Sequence, residues 1–134
     1  MELKNYLEQH ESIQEEINVI KKLTFVQNAG ECAKDIALHV STLAGKIKVH
    51  LSMEDKYLYP VLLERGNEQV KKLATAYQSE MGGLAEAFVQ YKDQYNTAPK
   101  ILKNIQNLKV DTQDIFGKIE KRIQKEEKEL YKFI

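Results

Sequence analysis

His50 and Glu54 stand one helical turn apart in the stretch His50-Leu-Ser-Met-Glu54-Asp-Lys-Tyr-Leu-Tyr-Pro60. At i and i+4, an imidazole and a carboxylate project from the same side of a helix and can reach one ion. Imidazole nitrogen and carboxylate oxygen are donors that suit zinc and iron. Both residues also fall on the apolar stripe of their own segment, which faces a core instead of water. Burying two such groups is costly unless something pairs with them. His10 poses the same problem, because it fills the slot between Leu7 and Ile13 on another apolar stripe. Arg122 and Glu126 repeat the i, i+4 arrangement on or beside a third stripe.

The elements that must position these residues are helical. Leu3, Tyr6, Leu7, Ile13, Ile17, Ile20 and Leu23 recur at helical spacing, which predicts an amphipathic helix over 3–23. Asn28-Ala-Gly30 turns the chain. A second helix is expected over 31–65, with Ile36, Val40, Leu43, Ile47, Leu58 and Val61 inward and a kink at Pro60. Gly66-Asn67 closes it, and Asn67 can cap a third helix over 68–95. That helix carries Met81 at a core slot and Gly82-Gly83 in mid-helix, which suggests close approach of another backbone or bulky group. A short piece over 99–108 follows. Asp111 is then expected to cap a last helix, with Ile115, Ile119, Leu130 and Phe133 inward. Four amphipathic helices, short connections and no strand pattern predict an all-α fold, an antiparallel up-down four-helix bundle in a single domain, 1–134.

The two halves of the chain resemble each other. His50-Leu-Ser-Met-Glu54-Asp-Lys-Tyr-Leu58-Tyr59 aligns with Arg122-Ile-Gln-Lys-Glu126-Glu-Lys-Glu-Leu130-Tyr131, and Tyr6-Leu-Glu-Gln-His10 aligns more loosely with Tyr77-Gln-Ser-Glu-Met81. The bundle therefore reads as two repeated helical hairpins. A pseudo-twofold packing would bring His10, His50, Glu54, Met81, Arg122 and Glu126 to one level in the interior. His39 lies three turns from His50 along the same helix, too far to share an ion with it.

With His10, the His50-x-x-x-Glu54 pair followed by Leu-Tyr-Pro60, and the late Glu126-Glu-x-x-Leu-Tyr131, the chain resembles the hemerythrin-like (HHE) cation-binding domain over essentially its whole length. The resemblance implies a bundle holding a non-haem di-iron centre, in proteins that carry or sense oxygen, handle nitric oxide, or store and sense iron. At the matching positions it implies His10, His50, Glu54 and Glu126 as metal ligands. Two positions depart from the pattern: Met81 and Arg122 each stand where a histidine is expected. A guanidinium is always charged and has no lone pair to donate. The reduced set suits one ion better than two, and Arg122 could instead neutralise the carboxylates. Met81 is most simply a core filler, with a soft ligand as its rival role.

Composition narrows the function. The 134 residues carry 20 basic and 20 acidic side chains, so no strong field favours nucleic acid or an anionic membrane. No apolar run is long enough to span a bilayer. The lone Cys32 makes no internal disulfide and fits a reducing, cytoplasmic setting. No nucleophile arrangement or phosphate loop points to an enzyme. The expected function is binding or sensing through one bound iron, with a diatomic gas as a further partner. The alternative is a metal-free structural or protein-interaction bundle in which Arg122 replaces the metal charge. Of Tyr6, Tyr57, Tyr59, Tyr77 and Tyr131, most are expected to pack, and one phenol could touch a metal or its bound water.

Overall fold

The first apolar stripe coils into α1 (Leu3–Lys21), which buries Tyr6, His10, Ile13, Ile17 and Ile20 along one face. The structure, a computed structural model, describes residues 2–134. A π turn (Lys22–Val26) follows α1. The chain then reverses where the Asn28 side-chain oxygen accepts from the backbone N–H groups of Gly30 and Glu31, at 3.0 and 3.2 Å. Next come α2 (Ala33–Met53), a second π turn (Glu54–Leu58) and α3 (Tyr59–Arg65). Asn67 caps α4 (Glu68–Tyr95) by accepting from the Val70 N–H at 2.9 Å. The chain ends with α5 (Ala98–Lys103), α6 (Ile105–Lys125), a third π turn (Glu126–Leu130) and a 3₁₀ turn (Tyr131–Phe133). Among the described residues there is no strand. Nor, among those residues, is any helix long and apolar enough to cross a membrane.

Side-chain pairs fix how the rods run. Gln9 meets His50, and Glu16 meets both Lys46 and His39, so α1 and α2 lie in opposite directions. Tyr77 meets Glu129 while Tyr91 meets Thr112 and Tyr95 meets Asp111, so α4 opposes α6 and its C-terminal turns. The buried apolar residues form two clusters. One holds Ile13, Ile17, Ile47, Phe88, Phe116 and Ile119, among others. The other holds Tyr6, Leu58, Tyr59, Tyr77, Leu130 and Tyr131. Along three of the rods the buried histidines and charged residues fall between members of the two clusters: His10 between Tyr6 and Ile13, His50 and Glu54 between Ile47 and Leu58, Arg122 and Glu126 between Ile119 and Leu130. A polar belt thus divides the interior.

Several sequence expectations are corrected. The helix expected over 31–65 is not continuous, since its π turn adds a residue and rotates the stripe beyond it. Leu62 is therefore buried and Val61 is 46% exposed. The third π turn does the same near the C-terminus, where Tyr131 is buried and Phe133 is exposed. The break in regular helix comes just before Pro60, which sits in the first turn of α3, where its missing N–H is tolerated. The 99–108 piece is divided: α5 ends at Lys103, and Ile105 and Leu108 already belong to α6. Asp111 is consequently not a cap, and its carboxylate accepts from the Tyr95 hydroxyl at 2.5 Å. Gly82 and Gly83 face open space, with nothing within 4 Å of an added Cβ. No close approach explains them.

Candidate metal centre

Three rods present polar side chains to the belt: α1, α2 with the π turn after it, and α6 with the π turn after it. His10 comes from α1 and His50 from the last turn of α2. Glu54 and Glu126 each open a π turn, and Arg122 comes from the last turn of α6. In both π turns the glutamate carbonyl accepts from the N–H five residues on, Tyr59 in one case and Tyr131 in the other. Single π turns of this kind inside α-helices are frequent at functional sites. Here they bring a tyrosine round toward the glutamate's own face.

The two imidazoles point the same edge inward. His10 Nε2 lies 3.2 Å from His50 Nε2 and 2.9 Å from Glu126 Oε1. His50 Nε2 lies 3.4 Å from both Glu126 Oε1 and Glu54 Oε2. The outer nitrogens are tied down: His10 Nδ1 is 2.9 Å from Glu127 Oε2, and His50 Nδ1 is 2.7 Å from Gln9 Oε1. Donation from Nδ1 to an oxygen outside the site leaves the Nε2 lone pair directed into it. This is the usual support of a metal-binding histidine. Ligand atoms of His10, His50 and Glu126 all lie within 4.8 Å of one another, and all three residues are buried.

The electrostatics demand positive charge. Glu54 is fully buried, and its Oε1 has no hydrogen-bond partner. Burial works against a charged His50, but hydrogen bonds and charges from Glu126 and Glu54 outweigh it and push His50 up to about 9. Burial also opposes the charge on Glu126, yet His10, His50 and Arg122 hold that carboxyl well below its ordinary value. Two imidazole Nε2 atoms 3.2 Å apart need a proton or a cation between them. The donor set fits a single ion.

It does not fit a second. Arg122 fills the other side of Glu126, its Nε donating to Glu126 Oε2 at 2.8 Å. Its Nη2 donates to the Tyr59 hydroxyl at 3.1 Å and to the Tyr77 carbonyl at 3.0 Å. The guanidinium carbon sits 4.3 Å over the Tyr77 ring, and Nη1 is 3.6 Å from Glu80 Oε2. Its polar neighbours are carboxylate, phenol and carbonyl oxygens, and Nη1 has no hydrogen-bond partner. Met81 is half-buried and lines a chamber of about 20 Å³ with His10, His50, Arg122 and Glu126. The rest of that chamber's wall is apolar, including Ile13, Leu84 and Phe88.

Of the sequence-expected residues, the structure brings His10, His50, Glu54, Glu126 and Arg122 together and sets Met81 on the chamber wall. His39 lies apart, paired with Glu16 at 2.7 Å. Three contributors escaped sequence reasoning: Gln9 and Glu127, which anchor the outer imidazole nitrogens, and the central role of Tyr131. Gln9 and Glu127 each adjoin a residue of the site in sequence, the one signal that could have found them. The Tyr131 hydroxyl is 2.8 Å from Glu54 Oε2, 3.0 Å from His10 Nε2, 3.1 Å from Glu126 Oε1 and 3.4 Å from His50 Nε2.

The family model described as hemerythrin HHE cation binding domain matches residues 1–134. No curated protein and no solved structure matches the chain.

Proposed function

Because the chain belongs to the hemerythrin HHE cation-binding family, we propose that it holds one metal ion, iron, and that its work is binding or sensing instead of catalysis. His10 and His50 supply nitrogen in this reading, and Glu54 and Glu126 supply oxygen. The long helices are the rods of an up-down four-helix bundle of two repeated hairpins, a cytoplasmic protein. The observation that carries the reading is the convergence of His10 Nε2, His50 Nε2 and Glu126 Oε1, with both outer imidazole nitrogens fixed by Gln9 and Glu127. An iron ion with an open position can bind oxygen or nitric oxide. The residues around it exclude water: Ile13, Leu84 and Phe88 line the chamber beside the donor atoms. A diatomic gas suits so small and apolar a space.

A second reading has support of its own. Arg122 is 7% exposed and bonded to Glu126, so it performs a cation's electrostatic work within the belt. A metal-free bundle with that internal counter-ion would serve as a structural or interaction module. Metal uptake separates the two. Protein stripped with chelator and dialysed against iron(II) without oxygen should retain one iron per chain and gain thermal stability. His10→Ala and Glu126→Gln should each abolish retention. A wild-type chain that retains no iron, and is not stabilised by zinc or manganese either, leaves only the metal-free reading.

A further inference from the structure

A phenol hydroxyl has one proton and two lone pairs, yet four polar atoms surround that of Tyr131 at 2.8–3.4 Å. Its one proton can serve Glu54 Oε2, the nearest at 2.8 Å, or Glu126 Oε1 at 3.1 Å, and not both fully. Whichever carboxylate oxygen the proton favours, the other faces the phenol oxygen without a full hydrogen bond. One O–H and two lone pairs leave at least one of the four contacts without a hydrogen bond of its own. We infer that Tyr131 is a metal-binding residue, its oxygen completing an inner set with His10 Nε2, His50 Nε2 and Glu126 Oε1, with Glu54 as the adjoining carboxylate. The inference rests on the metal reading above and adds a donor to it.

Distances carry it. All six separations among those four atoms lie between 2.9 and 3.4 Å. A regular tetrahedron with edges near that length has its centre about 2.0 Å from every corner, which is the range of metal–nitrogen and metal–oxygen bonds. Without Tyr131, the same three donors form an open triangle.

The backbone explains how the phenol arrives there. In a straight α-helix the fifth residue after Glu126 would point about 140° away from it. The π turn, with the Tyr131 N–H bonded to the Glu126 carbonyl, closes that angle. The other half of the chain repeats the device independently. Tyr59 follows Glu54 through an equivalent π turn, and its hydroxyl meets Arg122, the residue matching His50 in the repeat. Each half therefore sends one phenol to the polar group that opens the other half's i, i+4 pair. In one half that group is a guanidinium, which fixes the phenol as a hydrogen-bond acceptor. In the other it is an imidazole whose inward Nε2 offers a lone pair to an ion once its proton is displaced. On coordination the Tyr131 oxygen exchanges its O–H bond, and His50 Nε2 its N–H bond, for bonds to the ion, and both protons leave to bulk buffer.

The test uses full-length protein loaded with iron and oxidised to the ferric state. The expected result is a visible phenolate-to-iron absorption band, with tyrosine ring modes in the Raman spectrum excited within it. Tyr131→Phe should still take up one iron, lose the band, and bind zinc roughly 10- to 100-fold more weakly, as when a group immediately around a metal is removed. Tyr59→Phe should keep the band. Wild-type protein that holds iron but shows no phenolate modes overturns the assignment, even if Tyr131→Phe does not fold, and leaves the metal reading intact. A band that survives in Tyr131→Phe overturns it equally. Absence of bound iron in the wild type overturns the metal reading and this assignment with it.

Discussion

Arg122→Met in metal-free protein isolates the electrostatic role of the guanidinium. Methionine keeps an unbranched apolar stem in the chamber wall, so the cavity created is small and the loss is mainly one of charge. Glu126 remains 2% exposed and loses the donor at 2.8 Å on its Oε2. Taking one partner from a buried ion pair costs about 3–5 kcal/mol, because the other charge stays behind. His50, pushed up to about 9, keeps a positive charge 3.4 Å from Glu126 Oε1, which puts the expectation at the lower end, about 3 kcal/mol. With a urea m-value near 2 kcal/mol per molar, the midpoint in chelator should fall by roughly 1.5 M. Adding Glu126→Gln to Arg122→Met should recover much of that loss, since no stranded carboxylate remains. A shift below about 0.5 kcal/mol for Arg122→Met, within the range of ordinary surface substitutions, would refute the counter-ion argument. So would a double variant whose loss equals the sum of the two single losses.

Four further outcomes are expected. His50 has a folded value of about 9 against an ordinary 6.5, so it contributes stability that is fully present below pH 6.5 and lost as pH rises toward 9. The urea midpoint of metal-free protein should therefore fall across that window. Zinc affinity should rise over the same range, because the metal needs the unprotonated imidazole. Gly82→Ala and Gly83→Ala meet nothing within 4 Å, and neither glycine has positive φ; each should add about 0.5–1 kcal/mol of stability, read as a raised Tm. The double variant Met81→His and Arg122→His puts two imidazoles on the chamber wall in place of a thioether and a cation. It should raise zinc uptake from one ion per chain to two, measured by elemental analysis.

The helices and most of the belt were legible because the chemistry interrupts a periodic pattern. His10, His50 and Glu54 stand at core-facing positions where an apolar residue is expected, and the repeat pairs Glu54 with Glu126. Arg122 was legible for the same reason, as a charge in a slot that must be buried. The π turns were not legible. They arise from a shift in backbone hydrogen bonding that leaves composition unchanged, and each rotates everything after it. That rotation is why Leu62 and Tyr131 face inward where Val61 and Phe133 were expected. The start of α6 was misplaced because Asp111 looks like a cap in sequence, whereas its carboxylate is engaged by Tyr95 across the α4–α6 contact. Gln9 and Glu127 were hidden for another reason: a polar residue beside a helix stripe has the composition of any solvated face.

Anomalous diffraction from crystals of iron-loaded protein tests the central claim most directly. One peak per chain is expected, between the imidazoles of His10 and His50 and the carboxylate of Glu126, with Arg122 still on Glu126 Oε2. No peak at that point, or a second peak in the place of the guanidinium, would contradict it.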